Sequence, residues 1–331
     1  MTPKYFIGVD ISKLTLDFAL LHPSGQISSY KIDNSEEAVL EMLSTLKKDL
    51  GFRNREVVIL AEDMRMMAQN LLKVSTKKRY PVYLESALHI KKSLGIQRGK
   101  NDKLDAIRIA QFAKKNYQDL KLWQPPRECI EKLKHLCTIR KRLVKIRIML
   151  VNGEKSHSEY IAKSEKSDMG RHYASTLTAV EQDIVTLDTE MLLLVQQDER
   201  LSRLLILLTS IPYVGNILAL HLLVHTNEFY HFTDPKKFAS YCGVAPFEYS
   251  SGTSVAGRTK VSHFANKEMK SMLHFAAIGY ISKPGYYFLS RYYQRKVEEG
   301  KNKMSVINVL RNKLIARIFA CINNNKKFVE I

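Results

Sequence analysis

Four carboxylates in this chain are placed to do chemistry together. Asp10 ends a short β-rich run, Tyr5-Phe6-Ile7-Gly8-Val9, and Glu62 ends a second, Val57-Val58-Ile59-Leu60-Ala61. If those runs are neighbours in one sheet, both acids emerge at the same edge. Asp102 and Asp105 stand three apart in a helical pattern, which sets them on one helix face. Acids gathered in this way repel each other unless a cation sits among them. An all-oxygen donor set suits Mg²⁺ or Mn²⁺, and two such ions ~4 Å apart can clamp the attacking and leaving oxygens of a phosphodiester. Lys91, Lys92, Arg98, Lys100 and Lys103 surround the aspartate pair, so a polyanion can approach despite the acids. No G-x-x-x-x-G-K-[ST] run is present, so nothing points to a Walker-type nucleotide site.

The elements that must position these acids can be read from periodicity. Tyr5 to Val9, Leu14 to Leu21 and Ile27 to Ile32, with a Pro23-Ser24-Gly25 turn, predict a three-stranded meander. Residues 35–50 predict an amphipathic helix with Ser35 as N-cap and Val39, Leu40, Leu43 and Leu46 as its apolar face. The strand ending at Glu62 follows, then a helix over about 65–76, a strand at Val82-Tyr83-Leu84, and helices near 87–95 and 102–116. Three strands followed by helix–strand alternation imply a mixed α/β sheet with helices on its faces. Beyond Pro125-Pro126 the pattern changes. Leu136, Ile139, Leu143, Ile146 and Leu150 step by alternating threes and fours, as do Val180, Ile184, Leu187, Met191 and Leu194. These 3.5-residue seams predict a long helical hairpin or one arm of an intermolecular coiled coil. Residues 201–331 read as mainly helical, with a helix–turn–helix around Ile211-Pro212-Tyr213-Val214-Gly215 and helices near 265–282 and 303–322. The expected organisation is therefore 1–124, 125–200 and 201–331.

Charge narrows the class of partner. The chain of 331 residues carries a formal net charge of +19, a field that attracts nucleic acid. The charge is blocked: −2 over 1–62, +9 over 63–126, +6 over 127–155, −5 over 156–257 and +11 over 258–331. Three basic blocks separated by acidic ones suggest discrete binding surfaces. Cys129, Cys137, Cys242 and Cys321 form no C-x-x-C pair, so neither a zinc site nor a disulfide framework is expected. No run of ~18 apolar residues and no secretory signal pattern occurs, so a bacterial cytoplasmic protein, nucleoid-associated and without a membrane span, is expected.

The carboxylate pattern resembles the ribonuclease-H-like fold of Holliday-junction resolvases. More closely, Gly8-Val9-Asp10-Ile11-Ser12-Lys13, then Glu62, then Lys100-Asn101-Asp102-Lys103-Leu104-Asp105-Ala106 resemble the DEDD-type transposases of the insertion-sequence one-ten family, which include a pilin-gene invertase and bridge-RNA-guided recombinases. That family usually has a small residue, Thr and Gly after the glutamate. Here Asp63-Met64-Arg65 stands there, and Asp63 is the alternative to Glu62. A second set of matches follows in order: Ile211-Pro212-Tyr213-Val214-Gly215, where the family usually reads I-P-G-[IV]-G, then Phe238-Ala239-Ser240-Tyr241-Cys242-Gly243-Val244-Ala245-Pro246 and Ser251-Gly252. The resemblance implies a RuvC-like DEDD catalytic domain over 1–124, a coiled-coil hairpin over 125–200 and a C-terminal transposase domain over 201–331. It implies Mg²⁺ or Mn²⁺ held by Asp10, Glu62, Asp102 and Asp105. It further implies a serine nucleophile at Ser251, with Ser250 and Ser254 nearby, and target and donor DNA read through a non-coding bridge RNA by protein dimers or tetramers. Without the resemblance, Tyr249-Ser250-Ser251-Gly252-Thr253-Ser254 reads as a loop.

Basic helices complete the reading. Arg140, Lys141, Arg142, Lys145 and Arg147 lie along the first seam helix, while Arg258, Lys260 and Lys267 follow Ser251 and can stabilise phosphorane charge. His263 is a candidate proton carrier, although a lone histidine also suits a surface or a core. Tyr286, Tyr287, Phe288, Tyr292 and Tyr293 interleave with Lys283, Arg291, Arg295 and Lys296, a mixture that suits unpaired bases or, equally, the core face of a helix. Two other functions fit the same residues: a metal-dependent Holliday-junction-type nuclease without a covalent serine step, and a non-catalytic nucleic-acid-binding factor.

Overall fold

A computed structural model of the chain describes residues 2–64, 67–95, 99, 101–157, 163–251, 255–283 and 287–330, with backbone alone at 153–157, 163–171, 249–251, 255–256 and 258. The chain divides into two compact units, Met1–Pro125 and Pro126–Ile331.

The first unit is built on the expected meander: β1 (Tyr5–Ile11), β2 (Thr15–Leu21) and β3 (Ile27–Asp33) pair antiparallel in sequence. Strand β4 (Val57–Glu62) adds parallel to β1 on its other side, and β5 (Val82–Glu85) adds parallel to β4. The result is a mixed sheet in the order β3-β2-β1-β4-β5. Period-two alternation assigns its faces. Ile7, Val9, Leu16, Phe18, Ile59 and Ala61 point one way, packed by α1 (Glu36–Leu50) and α2 (Gln69–Lys78). Phe6, Ala19, Leu21, Val58 and Leu60 point the other way, beneath α3 (Ala87–Ser93) and α4 (Asp102–Asn116). Ser35 caps α1 as expected, its hydroxyl accepting from the Ala38 N–H at 3.2 Å, and Gly51 closes the helix in the left-handed conformation.

One glycine governs how α4 lies on this sheet. A Cβ at residue 8 would sit 2.2 Å from the Ala106 carbonyl oxygen and 2.3 Å from the Ala110 nitrogen, so the backbones of β1 and α4 meet with no room for a side chain. Helix α4 begins at Asn101, whose side chain accepts from the Leu104 N–H at 2.7 Å, and buries Ala106, Ile109, Ala110, Phe112 and Ala113 against the sheet.

In the second unit, α5 (Glu128–His157) and α6 (Lys163–Gln196) run antiparallel, with Cys137 beside Met191, Arg140 beside Asp188 and Arg147 beside Glu181. The seam is not the continuous 3.5-residue stripe expected. Leu136, Val180 and Met191 are buried, but Ile139 and Ile146 are 45% and 38% exposed. Each three-residue step leaves the next member about 60° round the helix, and the members at 139 and 146 turn away from the single partner. The foot of the hairpin shares one core with the helices that follow: α7 (Glu199–Thr209), α8 (Asn216–Thr226), α9 (Pro235–Tyr241), α10 (Lys267–Ile281), α11 (Phe288–Glu298) and α12 (Lys303–Asn324). Arg127 ties the start of α5 to Asp198 and to the buried Glu228, both at 2.7 Å, and Arg200 reaches Glu228 at 2.9 Å.

Two features of this unit differ from expectation. β6 (Pro246–Ser251) and β7 (Val255–Val261) pair antiparallel, so that residues 249–251, read as part of a loop, belong to a strand. The root of this hairpin is fixed from outside the strands. Gly243 is left-handed, with Ala265 where a Cβ would go, and the Val244 carbonyl accepts from Asn308 at 2.8 Å and Asn312 at 2.7 Å. Tyr213, in place of a usual glycine, keeps the left-handed backbone with φ 63°. Its ring lies where a side chain on Gly279 would stand, edge-on to Tyr280 at 4.8 Å and Tyr287 at 5.6 Å.

Gly8→Ala is expected to cost roughly 1–3 kcal/mol by overpacking, read as a lower midpoint in thermal or urea unfolding. A variant as stable as the parent would mean that α4 does not meet β1 backbone to backbone.

Candidate active site

Register decides which acids meet. Val9 pairs with Ala61, so Asp10 and Glu62 are the next residues on adjacent parallel strands, about 4.8 Å apart across the sheet. Both lie on the face that α4 covers, two residues along from Gly8 and Leu60. Asp10 also pairs with Asp17 of β2, Asp17 with Lys31 of β3, and Glu62 with Glu85 of β5. A single row of ionisable residues, Lys31, Asp17, Asp10, Glu62 and Glu85, therefore crosses the whole sheet.

Helix α4 brings the remaining two acids. With its second turn fixed over Gly8, its first turn reaches the row and carries Asp102 and Asp105. Acids are favoured there by the helix dipole. The flanking acids have basic side chains beside them. Lys31 lies 3.3 Å from Asp17 and 3.8 Å from Asp102, Arg108 pairs with Asp105 at 2.7 Å, and His89 approaches Glu85 at 3.2 Å. Asp10 sits at the centre. Burial pushes its carboxyl up to about 6, and the charges of Glu62, Asp105 and Asp102 push in the same direction. Four carboxylates from three elements thus face one another closely enough to perturb the middle one, and their oxygens are the donors that a hard divalent cation takes.

Sequence reasoning missed Asp17 and Glu85. Asp17 is buried between Leu16 and Phe18, and its only signal was that it interrupts the apolar run of β2. Glu85 needed the β4–β5 register. Asp63, the alternative to Glu62, follows the end of β4.

The remaining candidates are dispersed. Lys91, Lys92 and Lys103 are exposed near α4, whereas Arg65, Arg98 and Lys100 lie outside the described residues. Ser251 is the last residue of β6, paired with Val255 of β7. Gly252, Ser254 and Tyr286 lie outside the described residues, and the side chains of Ser250, Ser251 and Arg258 are not described. Arg142, Lys145 and Lys260 are exposed, as is His263. Arg140 and Lys141 are instead engaged within the fold, by Asp188 and by Glu268 at 2.6 Å. Arg295 lies over the Tyr292 ring at 5.7 Å, and Lys296 pairs with Glu299 at 2.6 Å. Tyr287, Tyr292 and Tyr293 pack against the core, while Phe288 stays exposed.

Comparison with known proteins bears on both units. A DEDD-type IS110 transposase model matches residues 7–157, and a second model, described as Transposase IS116/IS110/IS902 family, matches residues 206–294. The pilin gene-inverting proteins of Moraxella bovis and Moraxella lacunata are each 27% identical over 329 residues, covering 98% of this chain and 98% of the relative. Among solved structures, RuvC of T. thermophilus in complex with Holliday junction substrate is 13% identical with a TM-score of 0.27, over 36% of this chain and 99% of that one, a likeness too slight to carry an argument. Two models of one family, matched in succession across the carboxylate cluster and the β6–β7 hairpin, give the conclusion: this chain belongs to the IS110 transposase family and is a DNA transposase/recombinase.

Proposed function

We propose that this enzyme is a site-specific recombinase of an insertion sequence, with Asp10, Glu62, Asp102 and Asp105 as the ligands of a divalent cation and Ser251 as its nucleophile. The observation that carries the reading is the meeting of the sheet row with the first turn of α4, with Asp10 pushed up to about 6 at its centre. Such a set of oxygens fits Mg²⁺ or Mn²⁺ better than a softer metal. When bound, the ion supplies positive charge to the phosphoryl oxygens. The strand order β3-β2-β1-β4-β5, with only β2 reversed against its neighbours, supports a ribonuclease-H-like domain over 1–124.

The serine step conserves the phosphodiester. Ser251 Oγ forms a bond to phosphorus, the bond to one deoxyribose oxygen breaks, and the proton lost from the serine ends on that departing hydroxyl through solvent. A second strand's hydroxyl reverses the exchange, so strands rejoin without ATP. The relatives' name supports rejoining over simple cutting, because inverting a gene requires every cut strand to be resealed. Ser251 is the last residue of β6, at the end of the hairpin opposite its root. Net charge and the exposed Lys91, Lys92, Arg142, Lys145 and Lys260 support DNA and a bridge RNA as partners. Ile139, Ile146, Met149 and Val185, exposed on the hairpin, support its 125–200 segment as the place where protomers associate into dimers or tetramers. No helix among the described residues is long and apolar enough to cross a membrane, and an enzyme acting on bacterial DNA works in the cytoplasm, at the nucleoid.

Incubation with a recombination-site DNA, resolved on a denaturing gel, is expected to trap a protein–DNA adduct that maps to Ser251. Ser251→Ala should lose adduct and product on the order of a thousandfold, and Ser250→Ala should keep both within a few fold. Recombination at the parental rate by Ser251→Ala would remove the covalent step, and cutting with no adduct would favour the nuclease reading. DNA binding without any cutting or joining, and equal in Asp102→Asn and the parent, would leave a non-catalytic binding factor.

A second test concerns charge. Because folding raises the Asp10 pKa from 3.8 to about 6, its contribution favours the fold below the lower value and is lost as pH rises through the upper one. In chelator above pH ~7, Asp10→Asn should therefore be more stable than the parent, by on the order of 1 kcal/mol once solvent at this half-buried group is allowed for. The gap should close on acidification towards pH ~4. Millimolar Mg²⁺ should raise the melting temperature of the parent and leave that of Asp10→Asn unmoved. Equal pH profiles and equal Mg²⁺ responses would mean that the acids do not share an ion.

A further inference from the structure

A separate constellation lies within the second unit. His221 and His225 are one helical turn apart on α8, and Glu268 is in the first turn of α10. One ring nitrogen of each histidine and one carboxylate oxygen lie within 4.8 Å of one another. We propose that His221, His225 and Glu268 form a binding site for a transition-metal ion of the zinc class, distinct from the carboxylate cluster of the first unit.

The surroundings are those of metal ligands rather than of an incidental cluster. His221 is buried at the base of the site, while His225 and Glu268 are partly open, which leaves an entry path. The two carboxylate oxygens face different ways. Oε1 lies 3.7 Å from His221 Nδ1, and Oε2 is held by Lys141 Nζ at 2.6 Å, so an outer cation fixes the group without occupying its inner oxygen. The His225 ring is held through Nδ1, 3.1 Å from the Tyr241 hydroxyl and 3.2 Å from Asn266 Nδ2, and Asn266 also donates to that hydroxyl at 2.7 Å. Imidazole and carboxylate ligands oriented by such outer partners are usual at metal centres. Two imidazoles with one carboxylate suit zinc, cobalt or nickel and leave further positions for water. The sequence expectation of no zinc site considered only cysteines, and this site uses none. Its position gives it work to do. Tyr241 and Asn266 flank the root of the β6–β7 hairpin, joined also by the Asn266 N–H donating to the Tyr241 carbonyl at 2.8 Å. An ion bridging α8 and α10 would clamp that root.

Purified protein carrying Asp10→Asn and Asp102→Asn, which weaken the first cluster, should be stripped by chelation and titrated with Zn²⁺ by calorimetry. About one equivalent should bind, and Co²⁺ should give the intense visible bands of a low-coordinate site with nitrogen donors. Glu268→Gln, which can still hydrogen-bond, and His225→Asn, which is only partly buried, should each weaken Zn²⁺ binding roughly 10–100-fold. They should also abolish the Co²⁺ bands with circular dichroism unchanged. No saturable Zn²⁺ binding in the background protein, or binding untouched by both substitutions, would overturn the proposal. Either result would leave the carboxylate cluster unaffected, since its test uses Mg²⁺ and Asp10.

Discussion

The close approach of α4 to β1 is the constraint on which the rest of the first unit depends. Gly8 lets two backbones meet with atoms of α4 only 2.2–2.9 Å from where a side chain would begin. A helix so fixed at its second turn has its first turn delivered to the end of β1, and Asp102 and Asp105 arrive beside Asp10 and Glu62. Any larger residue would lift the helix and carry both acids away from the sheet. The apolar contacts of Ile109, Phe112 and Ala113 supply the favourable free energy, but the glycine decides the position.

Gathering acids costs free energy, and the molecule distributes that cost unevenly. Two of the acids have cationic partners, Asp17 in Lys31 and Asp105 of α4 in Arg108, and His89 lies beside Glu85. Asp10, half buried and ringed by three carboxylates, carries the strain as a raised pKa. The unbalanced negative charge is thereby concentrated at Asp10 rather than spread along the edge.

The second unit meets a different demand, that of fixing a β-hairpin among helices. Its strands offer little burial of their own, so the root is secured by neighbours: Asn308 and Asn312 on the Val244 carbonyl, Ala265 against Gly243, Asn266 on Tyr241. Tyr213 shows how such a fold absorbs substitution. The left-handed backbone remains, and the added ring is accepted because residue 279, across from it, has no side chain.

Local order was legible in the residues themselves. Short β-rich runs predicted β1 to β5, Ser35 announced α1, and the three-residue spacing of Asp102 and Asp105 put both on one helix face, because these depend on interactions within a few positions. Much of the candidate site was legible for the same reason, since strand ends and helix starts mark where acids emerge. Tertiary structure decided the rest. Which acids share a row followed from strand register, which added Asp17 and Glu85. The root of the β6–β7 hairpin is held by Asn308 and Asn312 of α12, far along the chain. Ile139 and Ile146 proved exposed because only packing selects a face among similar apolar stripes. Arg140 and Lys141, alike in sequence to their exposed neighbours, were claimed by Asp188 and Glu268, and that choice depends on distances that no local spacing encodes.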